Sequence, residues 1–287
     1  MMRRISAIAT IRDAYSFTFT HLGGIIGLIW VSMVMITIAQ FFTFHRLYGD
    51  FIDFLAGNVN PAQLGPTLLM LLAYLVAALL LYAVMCVAVA QLALGSRPAP
   101  AFAHFAFGPL EWRMFRAFAA FTALMLLIGL SLETLANAAQ PLIPAAGQQS
   151  GGRILALAMS GVGLVLAARF LLLLPAIAVN ENAPAMRRAW ALSAGHLLSL
   201  IGVLLGLFLP LALTFLAADV ALEGKSAVAG GNQQEQMIAV MRHARDILPL
   251  SCGLSFFFSP LLVGLFCGAS VSVWRALKDE PALDIAV

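Results

Sequence analysis

An all-α fold with six transmembrane helices and two cytoplasmic interfacial amphipathic helices is what this sequence predicts, and three observations predict it. Of 287 residues, 62% are hydrophobic and only 10% are charged, whereas about a quarter charged is usual for a soluble domain. The apolar residues gather into six runs that can cross a hydrocarbon core of about 30 Å at 1.5 Å per helical residue. The cations then sort onto alternating connectors. Arg3, Arg4, Arg12, Arg97, Arg113, Arg116, Arg169, Arg187, Arg188, Arg275 and Lys278 fall on one side, and Arg46, Arg153, Lys225, Arg242 and Arg245 on the other. The positive-inside rule makes the richer side, with both termini, cytoplasmic.

The elements follow in order. Residues 5–20 form the first amphipathic helix, with Ile5, Ile8, Ile11, Tyr15, Phe19 and Leu22 on one face and Ser6, Thr10 and Asp13 away from it. Span one covers about 22–42, and His45 to Gly65 reads as a polar connector. Span two covers about 66–94, longer than crossing requires, and ends at Gly95-Ser96-Arg97-Pro98. Phe102 to Trp112 is aromatic enough for the interface. Span three covers about 114–135, with Glu133 near its outer end, and span four about 154–174. After a turn at Asn180-Glu181-Asn182, a short basic helix spans 183–194, with Asn182 as its N-cap and Pro184 in its first turn. Met186, Trp190, Ser193 and Leu197 share one face of it, while Arg187, Arg188, Ala191 and Gly195 lie opposite, as expected on an anionic membrane surface. Span five covers about 197–218, a loop runs to Asp246, and span six covers about 247–274, kinked or locally broken at Pro260.

A shift of 175 positions lays residues 186–203 on residues 11–28 without a gap. Arg12 meets Arg187, Ala14 meets Ala189, Tyr15 meets Trp190, His21 meets His196 and Gly27 meets Gly202. Each copy reads as surface helix, then His-Leu, then span, and both enter from the same side, which makes the repeat parallel.

The candidate site is the elbow between spans four and five. Arg169 sits about two turns from the end of its span, where it snorkels to headgroup phosphates or binds a ligand through its planar fork. Pro175 marks the interface, Glu181 either pairs with an arginine or caps the next helix as a solvated carboxylate, and Gly195 releases the chain into span five. Arg12, Arg187 and Arg188, with Tyr15 and Trp190, are candidate headgroup contacts. Gly23/Gly27, Gly202/Gly206 and Gly264/Gly268 are small-residue pairs four apart, expected at close helix packing. Arg169, Pro175, Glu181, Arg188, Trp190, Leu192 and Gly195 together resemble the polytopic membrane domain of bacterial glycerophosphodiester phosphodiesterases and related stand-alone inner-membrane proteins. The resemblance implies a multi-pass protein of a bacterial inner (plasma) membrane, and does not bring the phosphodiesterase activity with it.

Cys86, Cys252 and Cys267 lie in apolar runs, at spacings of neither a metal site nor a disulfide framework. No nucleophile elbow, zinc-protease helix, phosphate-binding loop or paired intramembrane carboxylate occurs in the sequence. The expectation is a protein without a catalytic site, metal or cofactor, whose partners are membrane lipids. A membrane-protein partner or a second copy of the chain also fits, and nucleic acid does not. A small transporter, with a cavity between the repeated halves near Pro210 and Pro260, is the alternative.

Overall fold

The computed structural model describes residues 6–58, 64–96, 107–139, 160–179, 185–193, 195–223 and 233–278. Helix α1 (Ala7–Thr20) starts at Ser6, whose hydroxyl accepts the Ala9 N–H, an N-cap that satisfies one orphan donor. His21 alone separates it from α2 (Leu22–Leu55). Then come α3 (Gly65–Ala93), with Pro66 in its first turn, and α4 (Pro109–Ala139). Next are α5 (residues 160–170), α6 (Leu173–Ala178) and α7 (Ala185–Ser193). Finally come α8 (Leu197–Glu223) and α9 (Gln233–Lys278). No strand occurs among the described residues. Six segments are long and apolar enough to cross a membrane: Leu22–Leu55, Gly65–Ala93, Pro109–Leu135, Ser160–Ala178, Leu197–Thr214 and Gln234–Leu277. The chain is an all-α polytopic membrane protein.

Several helices outrun the apolar runs that announce them. α2 continues from Phe42 through His45, Arg46, Asp50 and Asp53 to Leu55, where the sequence suggests a connector, and α9 begins at Gln233 rather than after Asp246. Hydropathy marks where a helix suits lipid; backbone bonding ignores that limit where a neighbouring helix supports the polar turns. α4 likewise starts at Pro109 and continues past Leu135 to Ala139. Residues 154–159, expected to open span four, and 102–106 lie outside the described set.

The first two helices form one bent rod against α9. Asp13 meets Ser272, Phe17 and Ala14 meet Gly268, Thr18 and Ile25 meet Gly264, His45 meets Arg245, and Leu55 meets Gln234. Rising numbers on one side pair with falling numbers on the other, so the contact is antiparallel along its whole length. α3 runs parallel to α9: the Cys267 thiol lies against the Cys86 carbonyl, and Arg275 donates to the Ala93 carbonyl at 2.8 Å, capping the end of α3. From Ala83 to Ala90 every residue of α3 is buried, because α2, α4, α6 and α9 all pack around it. This is the centre of the fold.

Burial is shared at six pairs of the repeat, though Phe17 is buried and Leu192, its counterpart, is only half-buried. Ala14, Thr18, Ile25, Leu28, Ile29 and Ser32 are buried, as are Ala189, Ser193, Leu200, Val203, Leu204 and Leu207, each 175 residues later. Beyond that the copies part. α2 is covered by α3 and α9, whereas Leu209 and Leu213 of α8 are exposed and α8 is held chiefly through α1.

α1 shows how the membrane sorts a helix surface. Thr10, Ala14, Phe17 and Thr18 form its buried face, while Ile8 and Phe19 of the apolar stripe point outward at 82% and 61% exposure. Small and hydroxylated residues let α1 approach α9 closely, and bulky apolar ones are at home in lipid.

Candidate functional site

The elbow is built around a missing hydrogen bond. α5 gives way to a turn at Leu171 and Leu172 before α6 resumes. Pro175, third in α6, has no N–H to donate to the Leu171 carbonyl four residues back. Ser270, fully buried on α9, donates its hydroxyl to that carbonyl instead. Every residue of α6 is buried, so water could not have taken this role.

On the other side of α6 lies α7. It packs through Ala189 (1% exposed) and Ser193 (0%), four residues apart. The Ser193 hydroxyl turns back to the Trp190 carbonyl at 2.9 Å. Trp190, expected to share the Ser193 face, sits at the edge, 48% exposed. There its ring carries Arg169, whose guanidinium carbon lies 4.2 Å from the ring centroid. Arg169 is half-buried and has no hydrogen-bond acceptor or carboxylate partner among the described residues. A stacked guanidinium keeps its fork of N–H donors free in one plane. The arrangement is a preoriented cation at the end of a span.

The remaining candidates are placed as follows. Gly195 has φ +86°, a left-handed conformation that glycine adopts without strain, so it is the joint between α7 and α8. Glu181 lies outside the described residues; for Arg187 and Arg188 the helical backbone alone is described. The Arg12 side chain is 82% exposed and 3.9 Å from the Asp13 carboxylate, a pair of little energetic weight at such exposure. Tyr15 donates its hydroxyl to the Leu207 carbonyl at 3.3 Å and stacks on Phe19, so it ties α1 to α8. His21 donates from Nδ1 to the Phe17 carbonyl at 3.1 Å, and His196 is half-buried at the start of α8. Pro210 is exposed on α8 and Pro260 is buried in α9.

Two of the three glycine pairs receive the same helix. A Cβ on Gly264 would lie 2.8 Å from Thr18, and one on Gly268 would lie 2.9 Å from Phe17 and 3.3 Å from the Ala14 backbone. Gly202 faces Ala7 at 3.8 Å, and a Cβ on Gly206 would collide with Ile11. α1 is therefore seated between α8 and α9 by internal packing. Gly23 faces open space and Gly27 is half-buried.

Residues that sequence reading missed are the partners of backbone groups: Ser270, Arg275, and Glu111, which accepts the Gly108 N–H at 2.9 Å at the start of α4. Pro175 signalled that a carbonyl would be freed, without naming its donor. Among the described residues no group of three His, Cys, Asp or Glu could hold a metal ion.

No family model, curated protein or solved structure matches this chain.

Proposed function

We propose that the protein is a phospholipid-associated integral membrane protein whose elbow holds an anionic headgroup in the cytoplasmic leaflet. One observation carries this reading: the half-buried Arg169 guanidinium, stacked on Trp190, has no acceptor among the described residues. Partly buried donors left unpaired are costly. At the end of a span the abundant acceptor is a lipid phosphate, which the guanidinium fork fits in bidentate fashion. Trp190 supplies an amphipathic ring suited to headgroup depth. The excess of arginines on this side of the chain supports a position in the cytoplasmic leaflet.

A cation near an anionic leaflet contributes about 1 kcal/mol, or roughly a fivefold preference. The test is mass spectrometry of lipids co-purified in mild detergent. The wild type is expected to retain anionic phospholipid about fivefold over Arg169→Gln, with Arg169→Lys between them because it keeps the charge and loses the fork. Equal retention by wild type and Arg169→Gln would refute the assignment.

A further inference from the structure

Two buried side-chain atoms have no hydrogen-bond partner among the described residues: Ser32 Oγ on α2 and His243 Nε2 on α9. His243 stands on the polar stretch of α9 before Asp246, whereas Ser32 stands where bulk water does not reach. It is 1% exposed and about 15 Å along α2 from Leu22, halfway across a core of about 30 Å. What faces it on the other helix follows from register. Ile25 meets Gly264, His45 meets Arg245 and Leu55 meets Gln234, so the paired numbers total 289 or 290. Opposite Ser32 lies the turn of α9 around Phe257. Seven residues bring a helix back to within about 20° of the same direction, so Ser32 points at α9 as Ile25 does. In that turn the buried Pro260 has no N–H for the Phe256 carbonyl. The Phe256 and Phe257 rings are 38% and 71% exposed, which leaves the seam to the backbone. Ser259 does not serve this carbonyl, because its hydroxyl donates to the Ser255 carbonyl at 2.7 Å.

We infer that the seam between α2 and α9 binds one water at mid-membrane, joining the Ser32 hydroxyl to the Phe256 carbonyl. An internal water settles where it finds at least two polar partners out of reach of bulk solvent, and the register brings two such groups to one level. One hydrogen of the water goes to the Phe256 carbonyl, and its oxygen accepts the Ser32 hydrogen. The occupant is neutral. No Asp, Glu, Lys, Arg or His stands between His21 and His45 on α2, or between Asp246 and Arg275 on α9, so nothing there would balance an ion. It is also small, because Leu28, Ile29, Met33 and Ile36 on either side of Ser32 are all buried in packing. The two buried proline breaks are then met in different ways. A hydroxyl answers the one at Pro175 directly, and a hydroxyl answers the one at Pro260 through a water.

X-ray radiolysis makes hydroxyl radicals from bound water as well as bulk water, so it oxidises a buried side chain that lies beside an internal water. Met33, 4% exposed and next to Ser32, is the probe, and Met114, 0% exposed at the start of α4, is the reference. In the full chain in lipid nanodiscs, Met33 should be labelled well above Met114 in the wild type and only as much as Met114 in Ser32→Ala. Thermal unfolding gives a second reading. Ser32→Ala should lower the melting temperature by about 2–4 °C, and by less than half as much in a Pro260→Ala background, where the new N–H closes the Phe256 carbonyl. If Pro260→Ala does not fold, the labelling of wild type against Ser32→Ala decides alone. Met33 labelled no more than Met114, or equally in wild type and Ser32→Ala, would overturn the water. Coupled melts with Met33 unlabelled would mean a direct bond between Ser32 and Phe256. Additive melts would mean that Ser32 only bonds Leu28 in its own preceding turn. Either result overturns the bridge, and none of them bears on the lipid reading at the elbow.

Discussion

Replacing Ser270 with alanine removes one oxygen and leaves the Leu171 carbonyl, freed by Pro175, with no donor. Ser270 is 0% exposed, so water cannot take its place without opening the contact between α6 and α9. An orphaned buried acceptor costs about 1–3 kcal/mol, while interhelical hydrogen bonds in membrane proteins average about 0.6 and reach about 1.7 kcal/mol. The expectation for Ser270→Ala is therefore about 1–2 kcal/mol, a fall in melting temperature of about 2–6 °C. Pro175→Ala supplies the missing N–H and can close the Leu171 carbonyl from within the helix. In that background the serine should be worth less than half as much, giving a coupling of at least about 0.5 kcal/mol. Thermal unfolding in detergent, followed with a thiol-reactive dye, suits this chain because Cys86, Cys252 and Cys267 are free and buried. Additive effects of the two substitutions would show that Ser270 does not answer the proline, and the account of the elbow would fail.

Gly268→Leu should cost about 1–3 kcal/mol by the same melt, because the obstacle is the Ala14 backbone as well as the Phe17 ring; Gly23→Leu, facing open space, should stay within about 0.5 kcal/mol. Equal effects at the two glycines would remove α1 from its seat between α8 and α9. On topology, a reporter active only in the cytoplasm should be silent when fused at Asn232 and active after Lys278, as the arrangement of cations requires.

How much could be read beforehand depended on what solvates each residue. The six spans were legible because lipid demands apolar side chains over a fixed length, and Gly195 was legible because a joint between two helices favours a residue free of strain at positive φ. Helix ends were not. Arg46, Asp50 and Asp53 look like a connector, yet they continue α2 because α9 and α3 flank them. The packing face of α1 was not legible for a related reason: its apolar stripe, with Ile8, marks the side suited to lipid, and against a neighbouring helix in lipid the small Ala14 packs instead. At the elbow, Arg169 and Trp190 were both conspicuous, but their stacking depends on a break at Leu171 and Leu172 and a turn between α6 and α7, which no helical periodicity reaches across. Ser270 carried no signal; a serine in an apolar helix usually bonds its own preceding turn.

The bent rod of α1 and α2 lies against α9, so these two helices wait for a helix made much later. Asp13 and Ser272 are 259 residues apart, and at about 5–20 residues per second synthesis of the intervening chain takes roughly 13–50 s. During that interval the glycine seats for α1 on α9 do not yet exist, and the hydroxyl that will answer the Leu171 carbonyl is still unmade. α1 and α2 must be held at the site of insertion, or shielded by other membrane components, until α9 arrives to cover them. Interruptions of translation before α9 is complete should therefore be especially damaging, leaving a lateral wound along most of the length of α2 for quality-control proteases to recognise.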